Sequence, residues 1–404
     1  MAKQKWALFA LASIPLLMTL GNSMFIPVLP TIENELNISP FQSSLVITVY
    51  SVIAIPLIPI AGYLSDKFGR KKIMIPSLII TGIGGAISAF AAWKMENPYM
   101  VILIGRFLQG IGASGAFPVV IPTVGDMFKK DEEITKGLGV IETSNTFGKV
   151  LSPILGAVLA AFIWFIPFAA VPVLSLIAIV LLLILVHAPK QDKDEKNFKI
   201  FLKSIKNVFH YNGQWLTAIF VIGCINMFVL FGFLFYLSEI LESEFQMDGI
   251  WKGVLLAIPL VVLCTASFLT GKKVGENKTF MKWFIFIGNT GAALALFFVK
   301  TGMSLTMTLV WLALAGLGIG ISLPCLDALI TEGIEKDVRG TITSIYSSMR
   351  FIGVALGPPL IALMMDSLSG YIYLTLSGIS LVAGILTFFY IKPDPSPNTE
   401  RLAR

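Results

Sequence analysis

The sequence predicts an all-α integral membrane protein of twelve transmembrane helices, built as two pseudo-symmetric six-helix bundles. Three observations predict it: a composition too apolar for a soluble globule, twelve helix-length apolar runs, and an internal repeat that divides those runs six and six. Of 404 residues, 56% are hydrophobic and 13% charged, with mean hydropathy +0.83, where an ordinary soluble domain carries about 25% charged residues. Lipid offers the backbone no hydrogen-bond partner, so a chain crosses it as helices of about 20 apolar residues or as a closed barrel. The runs here have helical length.

In chain order they fall near residues 6–29, 43–64, 73–92, 98–122, 138–161, 164–187, 214–239, 250–270, 280–299, 304–330, 341–365 and 369–391. The first begins with Lys3 and Lys5, like a secretory signal, but it is too long, lacks a small-residue cleavage pattern and precedes eleven more spans. The fifth and sixth are separated only by the short junction Phe162 to Trp164. After the sixth comes the longest hydrophilic stretch, 188–212, a linker whose later part is basic and amphipathic and suits a helix lying on the inner leaflet. The expected organisation is a first bundle over 1–187, the linker, a second bundle over 213–392 and a tail over 393–404.

Basic residues set the orientation, because Lys and Arg concentrate in cytoplasmic loops. With the N-terminus inside, 24 of the 30 Lys and Arg residues fall in cytoplasmic segments and only Lys94, Lys252 and Lys300 fall outside. Both termini are therefore expected in the cytoplasm. The same bias accounts for the basic balance that would otherwise point to nucleic acid, so no nucleic-acid partner is expected. Cys224, Cys264 and Cys325 all lie within spans, which excludes a disulfide framework.

The halves repeat at an offset of about 206. "GIGASGAFP" at 110–118 matches "GLGIGISLP" at 316–324, with Gly110, Gly112 and Pro118 on Gly316, Gly318 and Pro324, and Asp126 on Glu332. Gly148, Ser152 and Pro153 likewise meet Gly353, Gly357 and Pro358, and Gly69 meets Gly275. Both copies start on the same side, a parallel duplication of the kind found in transporters that rock two bundles about a central site.

Three stretches carry chemistry. "GYLSDKFGRKK", 62–72, places Gly62, Asp66, Gly69, Arg70 and Lys71 in a short loop between the second and third spans. The glycines permit a tight turn, and Asp66 can accept from a facing helix N-terminus or pair with a cation, as a latch between conformations. "ILIGRFLQGIGAS", 102–114, puts Arg106 inside a span, where a cation must face protein or water. "GKVLSPILGA", 148–157, spaces Gly148, Ser152, Pro153 and Gly156 so that small residues admit a neighbouring helix and the proline bends the span, a pliable hinge.

With these motifs the chain resembles the major facilitator superfamily, in its twelve-span drug:proton antiporter group, over nearly its whole length. The resemblance implies alternating access between two bundles, the latch role of Asp66 and its neighbours, and export as the direction favoured by the fifth-span motif. It also associates Arg106 with proton transfer, beside the plainer reading of an arginine satisfied by carbonyls. Where the family often has a first-helix aspartate, this chain has Asn22.

Charges deep in apolar spans are functional candidates. Glu142 and Lys149 lie on one face of the fifth span, seven residues apart. Asp327 sits in the tenth span and Arg350 in the eleventh. Glu142 and Asp327 are expected as proton carriers, since burial favours a neutral carboxyl, a nearby cation favours the ionised form, and a conformational change can exchange the two surroundings. Both also lie close to the cytoplasmic boundary, where a charge can be merely interfacial. Glu239, at the outer end of the seventh span, is a further carrier candidate. Lys149 and Arg350, with Asn22 and Tyr236, are expected to face the substrate cavity and to favour a neutral or anionic compound rich in oxygen acceptors.

The expected activity is proton-driven export of a small organic compound such as a drug, antibiotic or secreted metabolite, a siderophore among them, across a bacterial plasma membrane. One charge moving inward across 100 mV releases ~2.3 kcal/mol, enough for more than a tenfold gradient. No nucleotide-binding loop is present and no cofactor is expected. The expected partners are the substrate, protons and lipid, and the chain is expected to act as a monomer. An uptake symporter of the same fold is the alternative. A membrane enzyme is opposed by the presence of only two histidines, His187 and His210, and by the absence of hydrolase or zinc motifs.

Overall fold

The computed structural model describes residues 2–128, 131–186, 198–273, 277–334 and 336–392. All regular structure among the described residues is helical: α1 (Ala2–Ser23), α2 (Leu29–Leu36), α3 (Pro40–Phe68), α4 (Arg70–Lys94), α5 (Tyr99–Met127), α6 (Asp131–Phe162), α7 (Ile166–Leu185), α8 (Phe198–Ser243), α9 (Gly249–Lys273), α10 (Lys278–Phe297), α11 (Leu305–Gly333), α12 (Lys336–Leu368) and α13 (Ile372–Tyr390). Among the described residues, eleven segments are long and apolar enough to cross a membrane. The last of them, Gly340–Tyr390, contains two helices divided by a 3-10 turn at Ser369–Tyr371, which brings the membrane-length helical segments to the expected twelve.

Local chemistry explains the breaks. The first span is not one helix: α1 stops at Ser23, a 3-10 turn follows at Ile26–Val28, and α2 carries the segment on to Leu36. Pro27 and Pro30 each lack an amide hydrogen, which removes two rungs from the helical ladder. The Ile26 carbonyl, left without the donor that residue 30 would supply, accepts instead from Ser238 Oγ of α8 at 2.8 Å. Asn37 then takes a left-handed conformation (φ 49) that ends α2. Ser39 opens α3 with a capping box, its side chain accepting from Gln42 N while Gln42 accepts from Ser39 N, and Pro40 occupies the first turn. Gly69, at φ +101, lets α4 start where α3 ends.

Residues 198–212 are helical and run without a break into the seventh span as α8, so this part of the stretch expected as a linker continues the membrane helix instead of lying apart from it. Residues 187–197, Gly275 and the tail 393–404 lie outside the described residues, as do the side chains of 198–212 and Glu332.

Burial separates central from peripheral helices. In the most apolar stretch of each helix, 78% of the residues of the α1–α2 segment and 83% of those in the membrane part of α8 are buried, against 33% in α4 and 28% in α7, which puts the first and seventh spans at the heart of the bundle. The first six spans meet the last six along two long seams, α3 against α12 and α6 against α9. These pairs are related by the repeat, second with eleventh and fifth with eighth. Thr48 Oγ1 donates to the Ala355 carbonyl across the first seam at 2.9 Å. Across the second, a Cβ added at Gly253 would lie 2.5 Å from the Pro153 carbonyl.

The repeat also places equivalent glycines in equivalent contacts. A Cβ at Gly110 would collide with the Tyr50 carbonyl of α3, and one at Gly316 would collide with the Pro259 carbonyl of α9. Gly112 sits against the Ser77 carbonyl of α4 and Gly318 against the Gly288 carbonyl of α10, each too close to admit a Cβ. Gly112→Val or Gly318→Val should therefore destabilise by about 1 to 3 kcal/mol or more through overpacking and lower the thermal midpoint of the purified protein. Gly125→Ala and Gly291→Ala, where an added Cβ meets nothing within 4 Å, should leave that midpoint unchanged or raised.

Candidate functional site

Arg106 of α5 is fully buried. Its Nε donates to the Val46 carbonyl of α3 at 2.7 Å, Nη1 to the Gly21 carbonyl of α1 at 3.0 Å and to Gln109 Oε1 at 2.6 Å, and Nη2 to Asn22 Oδ1 at 2.6 Å. The guanidinium lies between the rings of Phe25 and Tyr50, 4.6 and 4.7 Å from their centroids. No carboxylate among the described residues pairs with it. This geometry matches the carbonyl-satisfied arginine, and it turns Asn22 toward Arg106, where the amide oxygen occupies the position a carboxylate would take.

The four other charges come together. Arg350 Nη1 lies 3.6 Å from Asp327 Oδ1, joining α12 to α11, and its guanidinium rests over the Tyr346 ring at 5.6 Å. Lys149 of α6 is only 8% exposed, and Arg350, Glu142 and Asp327 all stand close enough to act on its charge. Asn145 donates to both Glu142 oxygens, at 3.3 and 3.4 Å, and its own Oδ1 accepts from Thr19 Oγ1 of α1 at 2.7 Å. Two cations and two carboxylates thus form one group shared by both halves, neutral overall when every member is ionised. Lys149 also lines a narrow pocket with Ser23, Pro153, Phe231, Leu234 and Leu260, which sets one ammonium among apolar walls at the crossing of the first, fifth, seventh and eighth spans. Tyr236 does not line it. Its ring packs edge-on against Tyr373, 5.2 Å between centroids.

The motif at 62–72, expected as a short loop, is helical except at Gly69 and forms a closed network. Asp66 pairs with Arg70 one turn on, and Arg70 also bridges to Asp126 Oδ2 of α5 at 2.9 Å and to Ser65 Oγ at 2.8 Å. Asp66 therefore takes the neighbouring cation, of the two partners its position allows. Gly62 faces α12, where an added Cβ would stand 3.7 Å from Ser344 Oγ. In the hinge motif, Gly148, Ser152 and Gly156 form the face of α6 that meets α1. A Cβ at Gly156 would run into the Met24 carbonyl, and Ser152 Oγ donates to the Gly148 carbonyl at 2.6 Å.

A second charged cluster surrounds Glu239, the further carrier candidate, with partners that the sequence pattern does not announce. It lies at the distal end of the bundle, opposite Ala2 and Tyr390, where Glu33 of α2 meets Glu239 and Glu242 of α8 and Lys252 of α9. Lys252 is 2% exposed and its Nζ is 2.8 Å from Glu242 Oε2. Asn34 Nδ2 reaches Glu242 Oε1 at 3.3 Å, and Ser43 Oγ hydrogen-bonds Glu33 Oε1. The signal that points to it is Pro27 and Pro30 followed by the capped start of α3 at Ser39, which makes 29–36 a helical continuation and not a loop.

Known proteins share this architecture. The family model described as Major Facilitator Superfamily matches residues 11–358 and 279–404. The chain is 52% identical over 396 residues to the bacillibactin exporter of Bacillus subtilis (strain 168), covering 98% of each. It is 25% identical to the tetracycline resistance protein, class E, of Escherichia coli, covering 92% of each. In fold it is similar to the crystal structure of a D-xylose-proton symporter, with TM-score 0.79 at 15% identity over 96% of this chain and 98% of that one. By the family-model match along its length and the 52% identity to a bacillibactin exporter, this multi-pass membrane protein belongs to the Major Facilitator Superfamily.

Proposed function

We propose that the chain is an efflux transporter that exports a small, oxygen-rich organic compound, a siderophore being the class that fits best, in exchange for protons. The observation that carries this reading is the neutral four-charge group of Glu142, Lys149, Asp327 and Arg350 at the junction of the two halves. The 52% identity to a bacillibactin exporter across almost the full length of both chains supports the direction and the substrate class. The similarity to a sugar symporter concerns the fold alone, and fold does not decide direction.

Linkage narrows the substrate. For exchange, proton and substrate must compete for one site. A purely anionic compound would bind better once Asp327 and Glu142 are protonated and the cations stand alone, which is the signature of co-transport. A compound carrying both hydroxyl donors and oxygen acceptors uses the ionised group fully, donating to the carboxylates and accepting from Lys149 and Arg350. Protonation removes the acceptors and releases it. Charge-assisted hydrogen bonds of this sort are roughly twice as strong as neutral ones. Proton carriage falls to Glu142 and Asp327, while Arg106 holds the first, second and fourth spans together. Cytoplasmic termini, a bacterial plasma membrane and a monomeric unit of two rocking bundles complete the proposal, with the distal end facing outside and no cofactor.

Proteoliposomes holding a pH-sensitive dye should show substrate-triggered loss of an imposed pH gradient when the siderophore is added, with the compound moving opposite to protons. Movement in the same direction would make this an uptake symporter. Lys149→Gln should cut export at least about tenfold, equivalent to ~1.4 kcal/mol of lost binding, while the amount of folded protein stays near that of the parent. Asp327→Asn should leave downhill export measurable and abolish uphill accumulation driven by the proton gradient. Persistent uphill transport in both Asp327→Asn and Glu142→Gln would place the carriers elsewhere.

A further inference from the structure

The distal cluster is a contact between the two halves that no part of the proposed exchange cycle uses. Around it the first and seventh spans close on each other: Ser238 donates to the Ile26 carbonyl, and Asn34 reaches Glu242. Within it, three carboxyls face one ammonium. Lys252 and Asn34 satisfy the two oxygens of Glu242, and Ser43 satisfies one of Glu33. Glu239 is 8% exposed, and its Oε1 meets no donor among the described residues. Its immediate neighbour is the carboxyl of Glu33, within hydrogen-bonding reach. Two carboxylates so close repel, and a carboxyl pair can form a hydrogen bond only if one of them keeps its proton.

We infer that Glu33 and Glu239 form a proton-binding site at the distal gate, one proton shared between the two carboxyls, and that the gate closes only when this proton is bound. The site is built across the seam, with Glu33 from the first span and Glu239 from the seventh, so opening separates the carboxyls and lets both ionise in water. Closing them without a proton would leave three carboxylates against Lys252, with Glu239 and Lys252 themselves buried. The groups that act on Glu239 are Glu33 from α2, Lys252 from α9 and Glu242 on α8 itself. From α13 comes Tyr373, packed on Tyr236 one turn away. The distal turns of α11, 305–311, hold no ionisable residue, and Asp366 of α12 is exposed. The proton is taken up and returned on the same side, so it is distinct from the one exchanged for substrate. In a cycle running with the distal end outside, acidity there would favour the return of the empty transporter. That last step rests on the proposed exporter reading.

The test is a distance measurement between the two halves, by pulsed electron resonance on spin labels at Glu35→Cys and Met247→Cys, both exposed at the distal end, with Cys224, Cys264 and Cys325 replaced by alanine. In lipid nanodiscs without substrate, the parent should show a single short distance in acidic buffer and a growing longer population as the buffer turns alkaline. Glu239→Gln, which imitates the protonated carboxyl, should hold the short distance at both extremes, and Glu33→Gln should do the same if Glu239→Gln fails to fold. A parent distribution that ignores pH, or one that keeps its full pH response in either glutamine variant, overturns the inference. The readout is independent of transport: a pH-responsive gate without proton-linked export would remove the exchange reading alone, and uphill export with a pH-insensitive gate would remove the gate alone.

Discussion

A charge buried in a bilayer must bring its own solvent with it, and the arrangement of this protein follows from how each buried charge meets that demand. Arg106 meets it with fixed groups. Backbone carbonyls of α1 and α3, two side-chain amides and two aromatic faces surround the guanidinium, so three helices converge on one cation and none can shift without undoing its solvation. The same problem is solved differently by Lys149 and Arg350, whose partners are other ionisable groups on other helices. A carbonyl cage is permanent, whereas a carboxylate can be protonated or can give its place to a ligand. Rigidity in the first case and exchangeability in the second come from the chemistry of the partner, since the cations themselves are alike.

Glycine decides where that distinction can act. Gly110 and Gly112 in the fourth span, and Gly316 and Gly318 in the tenth, draw backbones together at about the distance where a methyl group would collide with a carbonyl. These contacts lie within one half or the other and bind each into a single body. Along the α3–α12 and α6–α9 seams the halves meet through a hydroxyl bond at Thr48, a stacked pair at Tyr50 and Phe351, and one backbone approach at Gly253. Two bodies sealed internally by small residues and joined along two seams can tilt without unpacking, and both seams pass the four-charge group.

Much of this is legible in the amino-acid sequence, for a physical reason. A span must be apolar for about 20 residues, a constraint strong enough to mark all twelve crossings, and duplication leaves its glycines at a fixed offset. The charges that gather near Lys149 are conspicuous in the sequence as ionisable residues where lipid forbids them. Their partners are not. Asp327 and Arg350 sit on different helices, Glu142 and Asp327 are far apart in the chain, and only the packing brings them together. Glu33 and Lys252 are hidden by a boundary: a first span ending at residue 29 and an eighth beginning at 250 leave both as charges at the water interface. Pro27 and Pro30 divide that first span, yet the helix resumes as α2 and carries Glu33 against Glu239. The two readings of Arg106 separate only once the atoms that its five donors reach are known.

The central and distal groups share a composition, carboxylates set against too few or just enough cations, but differ in balance, and in the proposed cycle the balance assigns their work. At the centre two cations match two carboxylates, so the ionised group is stable with substrate present or absent and can serve as a binding site. At the distal contact three carboxyls meet one lysine, an excess that the inferred shared proton would relieve. A balanced site selects a ligand, and an unbalanced one selects a conformation. In the proposed cycle, therefore, substrate specificity and the permission to close are set at two places linked through the first span. That span's α1 touches the central group through Thr19 and Asn145, and its continuation α2 carries Glu33 to the gate. The break at Pro27 lies between them. A straight helix would pass every movement of one end to the other, whereas a span interrupted there lets the gate respond to protons while α1 stays fixed to Arg106 through Gly21 and Asn22.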